Sequence, residues 1–322
     1  MTAVTGTDTT IAASLLKSGR LVAFPTETVY GLGANAMDNA AVAGVFAAKQ
    51  RPDFDPLIVH IAEPDWLDRV VTEVPKLART LIDAFWPGPL TLVLPKQPAV
   101  SDLITSGLST VGVRQPNHAL ARQLIAQANV PVAAPSANLF GRISPTTAQH
   151  VADQLGERID YILDGGPCRV GVESTVVTVE DDRVIVLRPG GVTLEDLRRV
   201  AGNVEFDDSD GTEKEHASPG RTLQHYAPGT KLVIRDKPEV RPEETHLKVG
   251  LLAQGTDQHP DFTVVEQLTA DMTQAASRFF AALRRLDAAG LDLIVSTAFP
   301  QKGLGIALND RLKRAASGTE IF

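Results

Sequence analysis

One device, used five times, constrains this chain most: a short apolar run that stops in small, hydroxyl-bearing or basic residues. The stretches are "LVAFPTETVYG" (21–31), "FAAKQRPDFDPLIVHI" (46–61), "STVGVRQP" (109–116), "VPVAAPSANLFGRISPTT" (130–147), and "GVESTVV" (171–177) with "VLRPGG" (186–191). The apolar runs are too short for helices and rich in Val, Leu and Ile, so they read as strands. Between them lie helical patterns, among them "NAAVAGVFAAK", "WLDRVV", "KLARTLIDAFW", "HALARQLIAQAN" and "TTAQHVADQLG". "TLEDLRRVAG" reads as a helix with Thr193 as its N-cap. Alternation of this kind predicts an α/β fold, in which the ends of strands carry the loops that hold ligands.

The 322 residues have room for two domains. After about residue 203 the pattern breaks: "NVEFDDSDGTEKEHASPGRTLQHYAPGTK" is charged and rich in Ser, Gly and Pro, and reads as a linker. Its composition predicts a segment that moves between open and closed positions over a site. Beyond it, "KLVIRD", "LKVGLLAQG", "FTVVEQL" and "LDLIVSTAF" read as strands, and "MTQAASRFFAALRRLDAAG" and "LNDRLKRAAS" as helices. The expected division is a catalytic domain at 1–203, a linker at 204–230 and a small Rossmann-like α/β domain at 231–322.

Apolar residues make up 43% and charged residues 22%, the balance of a soluble protein, and no apolar run is long enough to span a membrane. The opening "MTAVTGTDTT" lacks a secretory signal pattern, and Cys168 is the sole cysteine, so a cytoplasmic, disulfide-free protein is expected. A net charge of −8 speaks against a broad nucleic-acid-binding face, whose affinity comes from neutralising phosphates. It leaves room for a local basic pocket.

Convergence of the five strand ends would gather Lys49, Arg51, Arg114 and Arg188. The hydroxyls of Thr26, Thr28, Ser136, Ser144, Ser174 and Thr175 would lie beside them, with His60 and Asn138. Four cations repel one another unless anions complete the site, and a polyphosphate together with a carboxylate would do so. Each piece alone also has an ordinary reading. "PTETVYG" could be a strand-to-turn transition, and Lys49 and Arg51 the solvated end of a helix. His60 could be a core histidine, Ser136 and Asn138 a cap, Arg188 a surface hairpin residue and Cys168 a loop or core thiol. The chain has no P-loop, no G-x-G-x-x-G after a strand, no H-E-x-x-H and no G-x-S-x-G.

Taken together, the motifs "PTETVYGLGANA", "KQRP" followed by "PLIVHI", "WPGPLTLVL", "GVRQP", "PSANLFGRISPT", "ILDGG", "ESTVV" and "LRPGG" resemble the threonylcarbamoyl-adenylate synthase family, the YrdC-like proteins of tRNA modification. The resemblance runs in unbroken order over roughly residues 10 to 200. "SPGRTLQHYAP" and "LNDRLKRAA" are similar to the longer, two-domain branch. It implies a YrdC-like twisted mixed sheet flanked by helices around a positively charged cavity. It also implies a nucleotidyltransferase that joins L-threonine, bicarbonate and ATP into threonylcarbamoyl-adenylate and releases pyrophosphate. Magnesium is expected with the ATP, and the acceptor of the product is the machinery that modifies adenosine 37 of tRNA, with weak tRNA binding a further possibility.

By the same resemblance, Thr28, His60, Arg114, Ala134 and Ser174 correspond to L-threonine-binding positions. Arg51, Thr110, Ser136, Ser144 and Arg188 correspond to nucleotide contacts, with Lys49 and Asn138 in the same K-x-R and S-x-N signatures. Lys49 and Arg51 are the expected catalytic cations, and Tyr226 a linker tyrosine that covers the nucleotide. Asp55 stands on the ATP side where asparagine is expected, and would repel phosphate unless it binds magnesium or pairs with a cation. The linker also lacks the methionine and additional basic residues expected before "HYAP", which implies a weaker hold on ATP. Two other readings stand beside the enzyme: an RNA-binding module, and a carbamoyl-phosphate-using enzyme like the hydrogenase-maturation carbamoyltransferases that contain YrdC-like domains. The zinc-finger and acylphosphatase-like segments of the latter do not occur in this sequence.

Overall fold

A computed structural model describes residues 2–52, 55–207 and 226–317. The first part of the chain runs β1 (Val4–Gly6), α1 (Thr9–Lys17), β2 (Val22–Phe24), β3 (Gly31–Asn35), α2 (Asn39–Lys49), β4 (Ile58–His60), α3 (Lys76–Phe85), β5 (Leu90–Pro95) and α4 (Asp102–Thr105). It continues through β6 (Thr110–Arg114), α5 (Ala119–Ala128), β7 (Val132–Ala133), α6 (Ala148–Leu155), β8 (Tyr161–Leu163), β9 (Thr175–Glu180), β10 (Arg183–Arg188), α7 (Leu194–Ala201) and β11 (Val204–Phe206). Side chains of Asp8, Asp38, Thr147 and Thr193 cap α1, α2, α6 and α7 by accepting from backbone N–H groups in the first turn. The helix expected at "WLDRVV" is a 3₁₀ helix over Pro64–Arg69.

The strands form one mixed sheet in the order β1-β8-β2-β3-β7-β4-β6-β5-β9-β10-β11. Its order is not that of the chain, so strand ends far apart in sequence lie side by side. The parallel β4–β6 pair sets His60 opposite Arg114, and the antiparallel β4–β7 pair sets His60 opposite Val132. Gly31 at the start of β3 bridges Ser136 just after β7. Through these registers "PTETVYG", "PLIVHI", "GVRQP" and "PSAN" meet.

The polar stretch begins later than the linker boundary at 204 implied. Val204–Phe206 forms β11, which pairs in parallel with β10 and buries Val204. Two apolar residues are too few to show a period in sequence. The rest of the linker, including the segment expected to move, lies largely at 208–225, outside the described residues.

The C-terminal part contains β12 (Lys231–Arg235), β13 (Val249–Gln254), β14 (Val264–Leu268), α8 (Met272–Asp287), β15 (Leu293–Thr297) and α9 (Leu304–Ala316). Its four strands are all parallel, in the order β12-β15-β13-β14, the Rossmann-like arrangement expected. The two parts share a core. Val29, Ile143, Val172 and Tyr226 pack in one cluster with Phe279, Phe280, Leu308 and Leu312 of α8 and α9. Gly171 shows how close the approach is: at φ +78° it lies so near α8 that an added Cβ would fall 2.3 Å from the Ala276 carbonyl oxygen. A shared apolar core of this kind makes the second domain a fixed neighbour rather than a tethered one.

Candidate active site

A hollow with about 520 Å³ of empty space, part of it open to solvent, lies where these strand ends meet. It is lined by Thr26, Thr28, Val29, Gly31, Arg51, Ile58, His60, Arg114, Ala134, Pro135, Ser136, Glu173, Ser174, Arg188 and Tyr226. Ten residues singled out in the sequence thus face one space: Thr26, Thr28, Arg51, His60, Arg114, Ala134, Ser136, Ser174, Arg188 and Tyr226. Thr175 turns its hydroxyl to the Val192 carbonyl instead, and Lys49, Asp55, Thr110, Asn138 and Ser144 do not line it either.

Those five take other places. Lys49 ends α2, almost wholly buried, and its Nζ donates to the carbonyls of Ser136 and Asn138 at 2.5 and 2.6 Å. It holds the "PSAN" loop from behind. Burial, and after it the charge of Arg51, pushes Lys49 well below the ordinary lysine range. The Asn138 amide donates to the Leu139 and Arg142 carbonyls and shapes the same loop. Ser144 donates to Glu173 Oε1 at 2.5 Å. Thr110 lines a separate cleft with Thr91, Thr105 and Gly112.

Asp55 meets one of the two conditions set for it, a cation partner. Its carboxylate pairs with Arg51 Nη2 at 2.9 Å, both side chains almost fully buried. Arg51 also donates to the Asp55 and Pro56 carbonyls and stands over the Phe140 ring, 5.9 Å from its centroid. The K-Q-R spacing makes this possible. Gln50 adopts a left-handed conformation, φ 53°, that ends α2 and turns the chain between the two cations.

The expectation that bound anions must balance all four cations also changes. Arg114, at the end of β6, pairs with Glu27 at 2.7 Å in full burial and donates Nε to the Gly88 carbonyl. Glu173 lines the hollow itself. Both acids lie inside the motifs "PTETVYG" and "GVESTVV", and neither was singled out. Their signal was available, since an acid at a buried strand end beside expected cations needs a partner.

The remaining walls are polar and ordered. Thr26 Oγ1 lies 2.8 Å from Thr28 Oγ1 and donates to the Val29 carbonyl, which closes the turn after β2. Ser174 Oγ lies 2.8 Å from Thr91 Oγ1, and Arg188 reaches both the Ser174 carbonyl and its hydroxyl. Gly190 permits that contact: an added Cβ would fall 2.4 Å from the Glu173 carbonyl oxygen and from the Ser174 carbonyl carbon. His60 is buried edge-on to Phe24, with Nδ1 3.2 Å from the Ile58 carbonyl. Burial, reinforced by Arg114, lowers it to about 3, so the imidazole is neutral near pH 7. Burial drives the Cys168 thiol up to about 12, the state of an unreactive core cysteine.

Tyr226 closes one side, its ring 5.5 Å from that of Phe280 of α8. A residue of the second domain stands directly behind the wall. Arg311 of α9 is fully buried and bonds Glu173 Oε2 at 2.9 Å and the Pro189 carbonyl at 2.6 Å. No feature of "LNDRLKRAA" separates Arg311 from an ordinary helix arginine, so sequence reasoning missed it.

The chemistry suits the binding of anions. Three guanidinium groups, hydroxyls and a neutral imidazole surround one space, and the His60 ring bonds a carbonyl rather than a serine. Among the described residues no three His, Cys, Asp or Glu stand together to hold a metal, and no helix is long and apolar enough to cross a membrane.

Comparison with known proteins agrees with both domains. Residues 14–190 match the family model described as "Telomere recombination", which groups Sua5, YciO and YrdC. Residues 192–317 match the "Threonylcarbamoyl-AMP synthase, C-terminal domain" model. Threonylcarbamoyl-AMP synthase of Pyrococcus abyssi is 43% identical over 97% of this chain and 94% of its own, and that of Bacillus subtilis 44% identical over 96% and 93%. A shorter relative, the putative threonylcarbamoyl-AMP synthase of Methanocaldococcus jannaschii, is 34% identical over 56% of this chain and 85% of its own length. The crystal structure of P. abyssi Sua5 complexed with L-threonine superposes with a TM-score of 0.91 at 40% identity, covering 100% of this chain and 99% of that one. With a strand-end anion hollow, a docked second domain and relatives matched along nearly their whole length, this chain belongs to the threonylcarbamoyl-AMP synthase family, in its two-domain form.

Proposed function

We propose that this chain is an L-threonylcarbamoyladenylate synthase, a nucleotidyltransferase that makes threonylcarbamoyl-AMP and pyrophosphate from L-threonine, bicarbonate and ATP. The product supplies the machinery that installs N6-threonylcarbamoyladenosine at position 37 of tRNA. The observation that carries this reading is the single hollow lined by Arg51, Arg114 and Arg188 with a neutral His60. It offers guanidinium and hydroxyl donors to two anionic reactants at once, and among the described residues no lining hydroxyl bonds the His60 ring.

Arg114 suits the L-threonine carboxylate, with Thr28, Ser174 and neutral His60 as hydrogen-bonding groups and Ala134 as backbone wall. Arg51, Ser136, Arg188 and Tyr226 face the nucleotide, and Lys49 and Asn138 hold the loop that carries Ser136. The threonine amine adds to CO₂ derived from bicarbonate and loses a proton, giving a carbamate. A carbamate oxygen then forms a bond to the α-phosphorus as the bond to pyrophosphate breaks. The side chains supply position and charge, which suffices for phosphoryl-type displacement without a covalent enzyme intermediate. Magnesium enters with ATP as part of the substrate. The acids near the hollow are engaged by arginines, a donor set that suits an ion carried on phosphate oxygens rather than in a protein cage.

Incubating the purified protein with L-threonine, bicarbonate and ATP tests the reading, with pyrophosphate release and the mass of threonylcarbamoyl-AMP as readouts. Pyrophosphate that depends on threonine supports it. Salt-sensitive tRNA binding without turnover would make the chain an RNA-binding module, and turnover that requires carbamoyl phosphate would make it a carbamoyltransferase-like enzyme.

A further inference from the structure

The hollow is walled by one acid whose partner comes from the other domain. Glu173 stands just before β9; its Oε1 accepts from Ser144 at 2.5 Å and its Oε2 from Arg311 Nε at 2.9 Å. Arg311 is 138 residues away in sequence, on α9, and wholly buried. Its Nη1 donates to the Pro189 carbonyl at 2.6 Å and to Asp310 at 2.8 Å, and its guanidinium lies 5.5 Å from the centroid of the Tyr226 ring. Nη2 is buried with no hydrogen-bond partner among the described residues. A charge so placed is costly, and its geometry joins three pieces of the hollow: Glu173, the loop that carries Arg188, and Tyr226.

The pairing of the other acids explains why this one matters. Glu27 is matched by Arg114 and Asp55 by Arg51, both within the first domain. Among the described residues, the ion-pair partner of Glu173 is Arg311 of the second domain. Without Arg311, a buried carboxylate would face the space that receives a triphosphate.

We propose that Arg311 is a positioning residue for nucleotide binding: it neutralises Glu173 and pins the Pro189 carbonyl, so the wall beside Arg188 is complete only when the C-terminal domain is docked. This rests on the reading of the hollow as an ATP site. It gives the second domain a part in substrate recognition that the shorter relatives, which span little beyond the first domain, cannot build in this way.

The test uses the full chain, with Arg311→Gln, Glu173→Gln, the double variant and Arg311→Lys. ATP affinity is measured by calorimetry with magnesium present, and L-threonine affinity separately. Arg311→Gln is expected to weaken ATP on the order of ten- to hundredfold, since an unpaired carboxylate of like charge then faces phosphate across a largely buried wall, and to change threonine affinity by less than about threefold. Neutralising the acid in Glu173→Gln/Arg311→Gln is expected to recover about tenfold or more of the lost affinity, and Arg311→Lys to fall between wild type and Arg311→Gln. A purely structural contact between domains would not be rescued by removing a second partner. Unchanged ATP affinity in Arg311→Gln, or equal loss of both ligands with no recovery in the double variant, overturns the proposal. If Arg311→Gln does not fold, a double variant that folds and binds ATP supports it, and one that also fails to fold overturns it. Wild-type protein that binds ATP yet releases no threonine-dependent pyrophosphate refutes the functional reading alone.

Discussion

Glu27→Gln tests the electrostatic design of the hollow most directly. The Glu27 carboxylate lies 2.7 Å from Arg114 Nη2, with both side chains no more than 4% exposed. At an effective dielectric of 20, unit charges at that separation attract by roughly 6 kcal/mol, before the desolvation that both groups have undergone. Removal of one member of a buried pair typically costs about 3–5 kcal/mol, because the other charge stays behind. Glutamine keeps the shape and one acceptor oxygen, so the lower end, about 3 kcal/mol, is expected. Scaled by the usual dependence of melting temperature on stability, this lowers the midpoint by roughly 6–12 °C. Circular dichroism melts of wild type and variant at one protein concentration measure it. L-Threonine should then narrow the gap, since its carboxylate restores a negative partner to Arg114 and a ligand stabilises the state that it binds. A variant that melts within about 2 °C of wild type, with the same threonine-induced rise, would refute the view that Arg114 needs a buried counter-charge.

Gly190→Ala places a Cβ 2.4 Å from backbone atoms of Glu173 and Ser174, so the "RPGG" loop must shift and carry Arg188 off Ser174; turnover is expected to fall about tenfold or more with the fold retained, read as pyrophosphate release beside a melt. Arg114→Ala is expected to raise the KM for threonine chiefly, while Lys49→Ala, which frees the Ser136 and Asn138 carbonyls, lowers kcat for adenylate formation; equal loss of both parameters in both variants contradicts the assignment. His60 titrates near 3 in the folded chain and near 6.5 unfolded, so the unfolded state binds the extra proton between those values. Stability should therefore be full above about pH 6.5 and fall as pH drops toward 3, and His60→Gln should flatten that fall in urea unfolding midpoints measured from pH 4 to 7.

Much of the architecture was legible because it is local. Apolar runs of strand length, capped helices and the break after residue 203 are properties of neighbouring residues, and they predicted two α/β units. The basic and hydroxyl residues at strand ends marked the site for the same reason. Lys49 and Asn138 show the limit: their types pointed to the site, but their contacts make them supports of the "PSAN" loop. Thr110 points into a neighbouring cleft, which the strand pattern alone could not distinguish.

The sequence by itself determined which charges had to be accommodated and roughly which loops would carry them. The tertiary structure alone decided how they are matched, because each buried cation takes the partner that folding brings within about 3 Å, where attraction offsets desolvation. Sheet order places His60 beside Arg114, loop closure sets Glu27 against Arg114, and docking of α9 brings Arg311 to Glu173 across 138 residues. Sequence spacing has no measure of such distances, so the hollow's acids and its arginine from the second domain became visible only once the chain was folded.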